Sequence, residues 1–352
     1  MATSYFFRSF ITNLKTLLLL FMVGFLTHCE DNKTPFSENR FLLGTYVSIT
    51  SYDTELSPSL RRIAIDSAMN TIAGLERLTN PYDTSSVVGR LNHHAARERR
   101  MKLPSLLGDM IRQAVAVSQS SGGAFDITLW KVFKLWHFGT DSATVPPDAA
   151  IQDARLFVDW HQVQLDSANQ LTLPPGVEID LGGIHKGIAV EQARRVLLQQ
   201  GLTNFIIDAG GNLAIEWHRP DSVQVLVRHP RKDGKFWGYF PVGSSCGIAT
   251  SGDYQFYIMQ NGKRYHHILN PRTGYPAQGA VSVTIIAPNA ALADGYSTAV
   301  FVMGHEAGMR FIETHPELEG MIIYNEPGVG LKTLLSSGLT TKFILSEDAH
   351  TP

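Results

Sequence analysis

Asp294 and Thr298 stand four residues apart in the segment Ala293–Ala299 (ADGYSTA), so on a helix they share one face. A carboxylate and a hydroxyl placed in that way suit Mg2+, which takes oxygen ligands and completes its shell with waters or phosphate oxygens. The same pair also fits a helix N-cap with an outward Thr. His266 and His267 are adjacent, followed by the turn Asn270-Pro271-Arg272-Thr273-Gly274. In a strand, neighbouring side chains point to opposite faces, so the two imidazoles do not share a zinc ion. One of them can serve as a general base, because histidine titrates near working pH.

Three glycine-rich turns accompany these groups. In Asp180-Leu181-Gly182-Gly183-Ile184-His185-Lys186-Gly187, a strand end with an acid runs through a Gly pair into a helix start bearing a Lys. Free N–H groups at a helix start attract anions, and Lys adds a point charge, so the segment fits a pyrophosphate cradle. It matches neither a P-loop nor a dinucleotide fingerprint. His185 reads as a surface residue rather than a ligand. Ser121-Gly122-Gly123-Ala124-Phe125-Asp126 lets backbone approach a ligand beside an aromatic face. On these residues alone a helix C-cap with a core Phe is the favoured reading. Asp208-Ala209-Gly210-Gly211-Asn212 fits a close backbone approach or a plain tight turn.

The elements that would position these groups follow from periodicity. Phe41–Tyr52 reads as a first strand, Leu60–Leu78 and Leu106–Ser120 as amphipathic helices, and Leu156–Leu173 as a hairpin turning at Asp166–Asn169. Gly187–Gln200 reads as a helix stopped by Gly201, and Asp294–Val302 as a helix ended by Gly304. Strands are expected at Asn204–Ile207, Gln224–Val227, Gly247–Ser251, Tyr254–Met259 and Val281–Ala287. Strands and helices do not alternate strictly, so the expected class is α+β, with mixed sheets packed with helices.

The 352 residues carry 44% hydrophobic and 18% charged residues and a formal net charge of −2, an ordinary globular balance. No basic stripe is present, which argues against nucleic-acid binding. Arg8 and Lys15 precede the apolar run Leu17–Leu26, a secretory signal pattern too short for a comfortable membrane span. Leu26-Thr27-His28-Cys29 resembles a bacterial lipobox, with His28 where a small residue usually stands. The expected organisation is a lipoprotein signal peptide over 1–28, a tether over 29–40 and one domain over 41–345. The chain has 2 cysteines, and with Cys29 lipidated no intramolecular disulfide is left for Cys246, which reads as a small buried hydrophobe.

The ordered blocks Gly44-Thr45, Tyr82 in NPYDTSSVVGRLN, SGGAFD, DLGGIHKG, AGGN, ATSGDY, HILNPRTG and ADGYSTA resemble the FAD:protein FMN transferase (ApbE) family from about Leu43 to Gly304. The resemblance implies an ApbE-like fold with a central cleft in which FAD is lined by Leu43, Tyr82, Ala124, Phe125, Asp126, Asp180, Lys186 and Ile268. It implies Mg2+ held by Asp294, the Thr298 hydroxyl and the Gly183 carbonyl, with His267 as catalytic base. The implied reaction moves FMN from FAD to a Ser or Thr of an acceptor flavoprotein and releases AMP. Implied acceptors are the flavin-carrying subunits of sodium-pumping NADH:quinone oxidoreductase (Nqr), Rnf-type complexes or other envelope flavoproteins. The implied location is the periplasmic side of a bacterial membrane, anchored through Cys29. Leu43 replaces a frequent Met, His185 a usual Ala and Asn270 a frequent Asp. Ser297 stands where some relatives carry a further metal-binding Asp. Two alternatives to transfer are hydrolysis of FAD to FMN and AMP, and flavin binding without catalysis.

Overall fold

The computed structural model of the chain describes residues 34–349. The expected signal peptide, Cys29 and the beginning of the tether lie outside the described residues.

Eight antiparallel strands form one sheet whose spatial order follows the chain: β1 (Phe36–Leu42), β2 (Thr45–Ser51), β3 (Phe205–Ala209), β4 (Asn212–Glu216), β5 (Cys246–Gly252), β6 (Ser282–Ala287), β7 (Glu319–Glu326) and β8 (Gly330–Leu335). Residues alternate across it with the strand period of two. In β3, Phe205, Ile207 and Ala209 face a helical layer, while Ile206 faces the other side. The helical layer contains α1 (Pro58–Thr79), α2 (Ser105–Ser120), α3 (Gly182–Gln199), α4 (Ala290–Met303) and α5 (His305–Glu313). On the opposite face a small sheet built around Val223–Arg228 and Phe236–Val242 closes a second core with Val225, Val227, Trp237 and Phe240 against Ile248 and Ile323. The fold is α+β, as expected.

The elements that bear chemistry are inserted between sequential strands. The segment from α1 to α3 joins β2 to β3. A Gly210-Gly211 turn joins β3 to β4, with both residues at positive φ (63° and 93°). The excursion 253–281 joins β5 to β6, and α4 with α5 joins β6 to β7.

Several boundaries differ from the sequence-based expectation. Residues 36–40 belong to β1 and not to a tether. The single strand expected over Phe41–Tyr52 is a hairpin, because Leu43 and Gly44 both adopt positive φ (56° and 68°) and reverse the chain. Helix α3 starts at Gly182, which puts Gly183 and Lys186 inside it. Helix α4 starts at Ala290 with Asn289 as its N-cap, the side chain accepting from Leu292 N at 3.0 Å. The hairpin before Leu173 is short, pairing Gln164–Leu165 with Gln170–Leu173 around the expected Asp166–Asn169 turn. The residues before it form turns and a 3-10 turn at Trp160–Gln162.

Candidate active site

The core of the site is the crossing of α3 and α4. A Cβ added to Gly187 would lie 2.2 Å from the Ala290 carbonyl oxygen and 2.5 Å from the Asp294 Cβ. Only glycine admits this approach, and the contact carries chemistry: Gly187 N–H donates to Asp294 Oδ2 at 2.8 Å. With its amide turned so that both ends find complementary partners, Asn212 donates to Asp294 Oδ1 (3.0 Å) and accepts from Lys186 Nζ (3.1 Å). A helix, a neighbouring helix and a strand start thus converge on one carboxylate. Since Asn289 caps α4, Asp294 is not the N-cap; it is a mid-helix acid, 5% exposed.

Burial pushes the Asp294 carboxyl up to about 6, against the opposing effects of Lys186 and the Gly187 N–H. Asp208 is also raised by burial, opposed by its bond from Gly211 N (2.8 Å) and by Lys186. Lys186 therefore stands among two carboxylates and an amide oxygen.

Thr298 Oγ1 donates to the Gly183 carbonyl at 3.2 Å, and Ser251 Oγ lies 3.4 Å from Thr298 Oγ1 and 2.8 Å from Ser297 Oγ. Ser297 in turn donates to the Asp294 carbonyl at 2.9 Å. Asp294, Thr298 and Gly183 together offer a carboxylate, a hydroxyl and a carbonyl, an all-oxygen set of the kind Mg2+ takes. The donor set fits Mg2+. Among the described residues no group of three or more His, Cys, Asp or Glu side chains forms a metal cage, which leaves the rest of an ion's shell to water or a bound phosphate.

The two histidines diverge, His266 ending a strand and His267 following it in a bend. His266 is buried: its Nε2 lies 3.0 Å from the Ala277 carbonyl and its ring meets Phe301 edge-on. His267 turns the other way. Its backbone N–H donates to the Phe256 carbonyl (3.0 Å), its ring meets Phe256 edge-on at 5.6 Å, and its Nδ1 is buried with no hydrogen-bond partner. Burial lowers the imidazole to about 4, helped by the charges of His266 and Lys186. It is a neutral ring with a free lone pair, within reach of the Lys186 field.

The other expected residues fall into place unequally. Burial raises Asp180 to about 6 against bonds from the backbone of Gly182 and Leu181, and burial, helped by the Asp180 charge, raises the Tyr82 phenol. Tyr82 is 66% exposed, with its ring edge-on to Trp130 at 4.6 Å. Phe125 is in the core, yet its ring would lie 2.9 Å from a Cβ at Gly183, so it is also the wall behind that backbone. The C-cap reading of the Ser121–Asp126 segment holds, because α2 ends there with Gly123 N–H donating to Ser118 O at 2.8 Å. Ala124 and Leu43 are partly buried against the same core, and Ile268 is buried beside His267. Leu43 is tied to the site through its hairpin: a Cβ at Gly210 would meet Thr45 Oγ1 at 2.5 Å.

Asp126 has a structural task. Its Oδ1 accepts from Thr128 N (2.8 Å) and Thr128 Oγ1 (2.6 Å), and its Oδ2 from Trp160 N (3.1 Å), binding two loops together. His185 is half-buried and held by α1, not a free surface residue. Its Nε2 lies 2.9 Å from Thr79 Oγ1, and burial lowers the ring to about 4. Cys246 has its thiol pushed up to about 12 by burial, which makes it inert. Asn212 and Ser251 lie in motifs visible in the sequence, but their partners lie 82 and 47 positions away and carry no local signal.

Comparison with known proteins accords with this geometry. A family model described as the ApbE family matches residues 43–322. A protein named FAD:protein FMN transferase from Treponema pallidum is 27% identical, over 84% of this chain and 86% of its own. One of the same name from Klebsiella pneumoniae is 28% identical, over 92% of this chain and 95% of its own. Among solved structures, the ApbE protein of Thermotoga maritima superposes with a TM-score of 0.79 at 30% identity, covering 88% of this chain and 99% of that one. Flavin transferase ApbE from Vibrio cholerae shares the fold, with a TM-score of 0.76 at 24% identity.

Proposed function

The chain belongs to the ApbE family, and from that premise we propose that it is an FAD:protein FMN transferase that works with Mg2+. The observation that carries the reading is the convergence of Lys186, Asn212 and Asp294 on one point, beside the Gly183–Thr298 oxygen pair and under the field reaching His267.

In this reading FAD is the substrate. Lys186 binds and orients its pyrophosphate, and Tyr82, Phe125 and Asp180 line the approach. Asp294, Thr298 and the Gly183 carbonyl hold Mg2+, which when bound neutralises charge on the phosphate oxygens. Asn212 holds Asp294 and Lys186 in register, so the cation and the carboxylate keep one geometry. The neutral His267 imidazole takes the proton of the acceptor Ser or Thr hydroxyl. The hydroxyl oxygen forms a bond to the FMN phosphorus, the bond from that phosphorus to the bridging oxygen breaks, and AMP leaves. An anionic pyrophosphate beside His267 raises its basicity.

We also propose that the domain is tethered to the periplasmic side of a bacterial membrane through a lipidated Cys29, with envelope flavoproteins of the Nqr or Rnf type as acceptors. The apolar run Leu17–Leu26 and the lipobox-like Leu26–Cys29 support the anchor. Among the described residues no helix is long and apolar enough to cross a membrane.

The test is to mix the domain with FAD, Mg2+ and a soluble flavin-carrier domain, with and without EDTA, and to read in-gel flavin fluorescence and AMP. Metal-dependent label on the carrier, with AMP released in step, is the expected result. Free FMN and AMP with no label would turn the reading to hydrolysis, and FAD bound without AMP release would leave a flavin-binding protein.

A further inference from the structure

The excursion between β5 and β6 contains a two-stranded ribbon, Tyr257–Gln260 against Lys263–His266, turned by Asn261-Gly262. Asn-Gly is the favoured two-residue hairpin turn, and Asn261 and Gly262 have the positive φ it needs (51° and 73°). Among the described residues no third strand joins either edge. A free edge presents unpaired backbone donors and acceptors, a template on which another extended segment can pair.

One face of the ribbon is occupied. Ile258 and Tyr265 pack on the satellite core around Trp136. The other face is covered at its root, where His266 is buried, and open and apolar toward its tip: Tyr257 is 43% exposed and Met259 56%, with the Arg264 guanidinium 4.1 Å from the Tyr257 ring centroid. Phe256, 51% exposed, continues this surface to His267, on whose ring it rests. His267 is the next residue after the inner strand, so at about 3.3 Å per residue the Arg264 position stands roughly 10 Å from it.

The charge here is one-sided. Residues 254–267 include Lys263 and Arg264 and no acid. Arg228 and Arg231 lie beside Tyr254 at the ribbon base. The neighbouring acid, Asp253, is already engaged by Arg231 at 2.6 and 2.7 Å and by Arg264 at 3.6 Å. On a chain of net charge −2 this is a local cationic field.

We propose that this ribbon is the docking surface for the acceptor polypeptide, and that the segment it receives is extended and combines apolar with acidic side chains. The free edge pairs with its backbone, Tyr257 and Met259 take the apolar side chains on one face, Arg264 meets an acid on that face, and Lys263, over the Tyr265 ring at 5.0 Å, meets an acid on the other. The root of the ribbon then delivers its Ser or Thr hydroxyl to His267. The proposal rests on the transferase reading above and deepens it by naming the partner's chemistry.

The experiment compares the unsubstituted domain with Met259→Ser and Lys263→Glu, singly and together, on the carrier domain of a sodium-pumping NADH:quinone oxidoreductase. The expected result is a carrier KM raised about tenfold or more in the double variant, with kcat, FAD affinity and melting temperature kept. The Lys263→Glu change should also flatten the salt dependence of kcat/KM. An unchanged carrier KM in the double variant overturns the proposal. So does a double variant that loses only its binding to phosphatidylglycerol vesicles, which would make the ribbon a membrane contact. An unsubstituted domain that labels no carrier overturns the transferase reading itself, and this proposal with it.

Discussion

The two halves of the site are built differently. The half carried by α3, α4 and the start of β4 is interlocked: Asp294 has partners on both oxygens, Lys186 sits among acceptors, and Thr298 is tied to Gly183 and Ser251. The half carried by the 253–281 excursion is open: His267 Nδ1 has no partner, and the ribbon beside it exposes Phe256, Tyr257 and Met259. Preorganised dipoles and charges act where the reacting group is always the same. In the proposed reading the open half faces the reactant that arrives as another protein. The contrast separates a fixed nucleotide chemistry from a variable encounter.

The largest expected effect breaks the open half alone. His267→Ala should lower transfer by about 10²–10⁴-fold, the usual worth of a positioned base, while the FAD Kd from flavin fluorescence stays the same. Lost FAD binding in that variant would show His267 to be part of the interlocked half. Next is Asp294→Ala, which should raise the Mg2+ concentration for half-maximal activity by about 100-fold, the upper end of what even outer ligand-shell partners contribute. An unaltered Mg2+ titration would remove Asp294 from its role.

Smaller effects sharpen the contrast. Gly187→Ala places a methyl against the Ala290 carbonyl and Asp294 Cβ, and overpacking of this kind costs about 1–3 kcal/mol. Urea denaturation should show that loss together with a raised Mg2+ requirement, whereas a substitution at the ribbon tip should produce neither. The smallest effect is in pH. Asp180 and Asp294 are raised to about 6, so their contribution to stability is full below the ordinary carboxylate range and is lost as pH rises through about 6. His185 and His267 are lowered to about 4, so theirs is present above about 6.5 and is lost as pH falls toward 4. The pairs oppose one another over the same window, and stability should vary little there. Asp294→Asn removes one carboxyl from the balance, so its stability should fall as pH is lowered from about 6.5 to 4.5. A profile as flat as the parent's would mean that Asp294 is already ionised in the fold at low pH.

The residues proposed for the chemistry were legible because each sits in a short segment whose spacing is local. Asp294 with Thr298 reads from one helical face, and strand geometry predicts the divergence of His266 from His267, although His267 follows the strand in a bend. Helix interiors and the α+β class followed from periodicity in the same way. What stayed hidden depended on contacts across the chain. The N-cap alternative for Asp294 was decided by where α4 begins, which a run of alanines at Ala290 and Ala291 does not advertise. The β1–β2 reversal puts Leu43 at positive φ, a conformation its side chain gives no reason to expect. His185 looked like a surface residue because Thr79, its partner, comes from α1. The bridge from Asn212 to Lys186 and Asp294 exists because the β3–β4 turn ends under the α3–α4 crossing, which no local pattern encodes.

The strand order of the large sheet has one more consequence. The excursion 253–281 leaves from Gly252 and returns at Ser282, and these two residues are directly paired. Its ends are therefore about 5 Å apart, whatever lies between them. Such a segment is a cassette: it can be lengthened, shortened or exchanged without moving the register of β5 on β6, or the α3–α4 crossing on the sheet. In the proposed reading, a lineage of these enzymes changes its protein clientele by rewriting the ribbon tip while the root keeps His267 in place. Transplanting that tip between relatives is then a route to new labelling specificity on an unaltered catalytic frame.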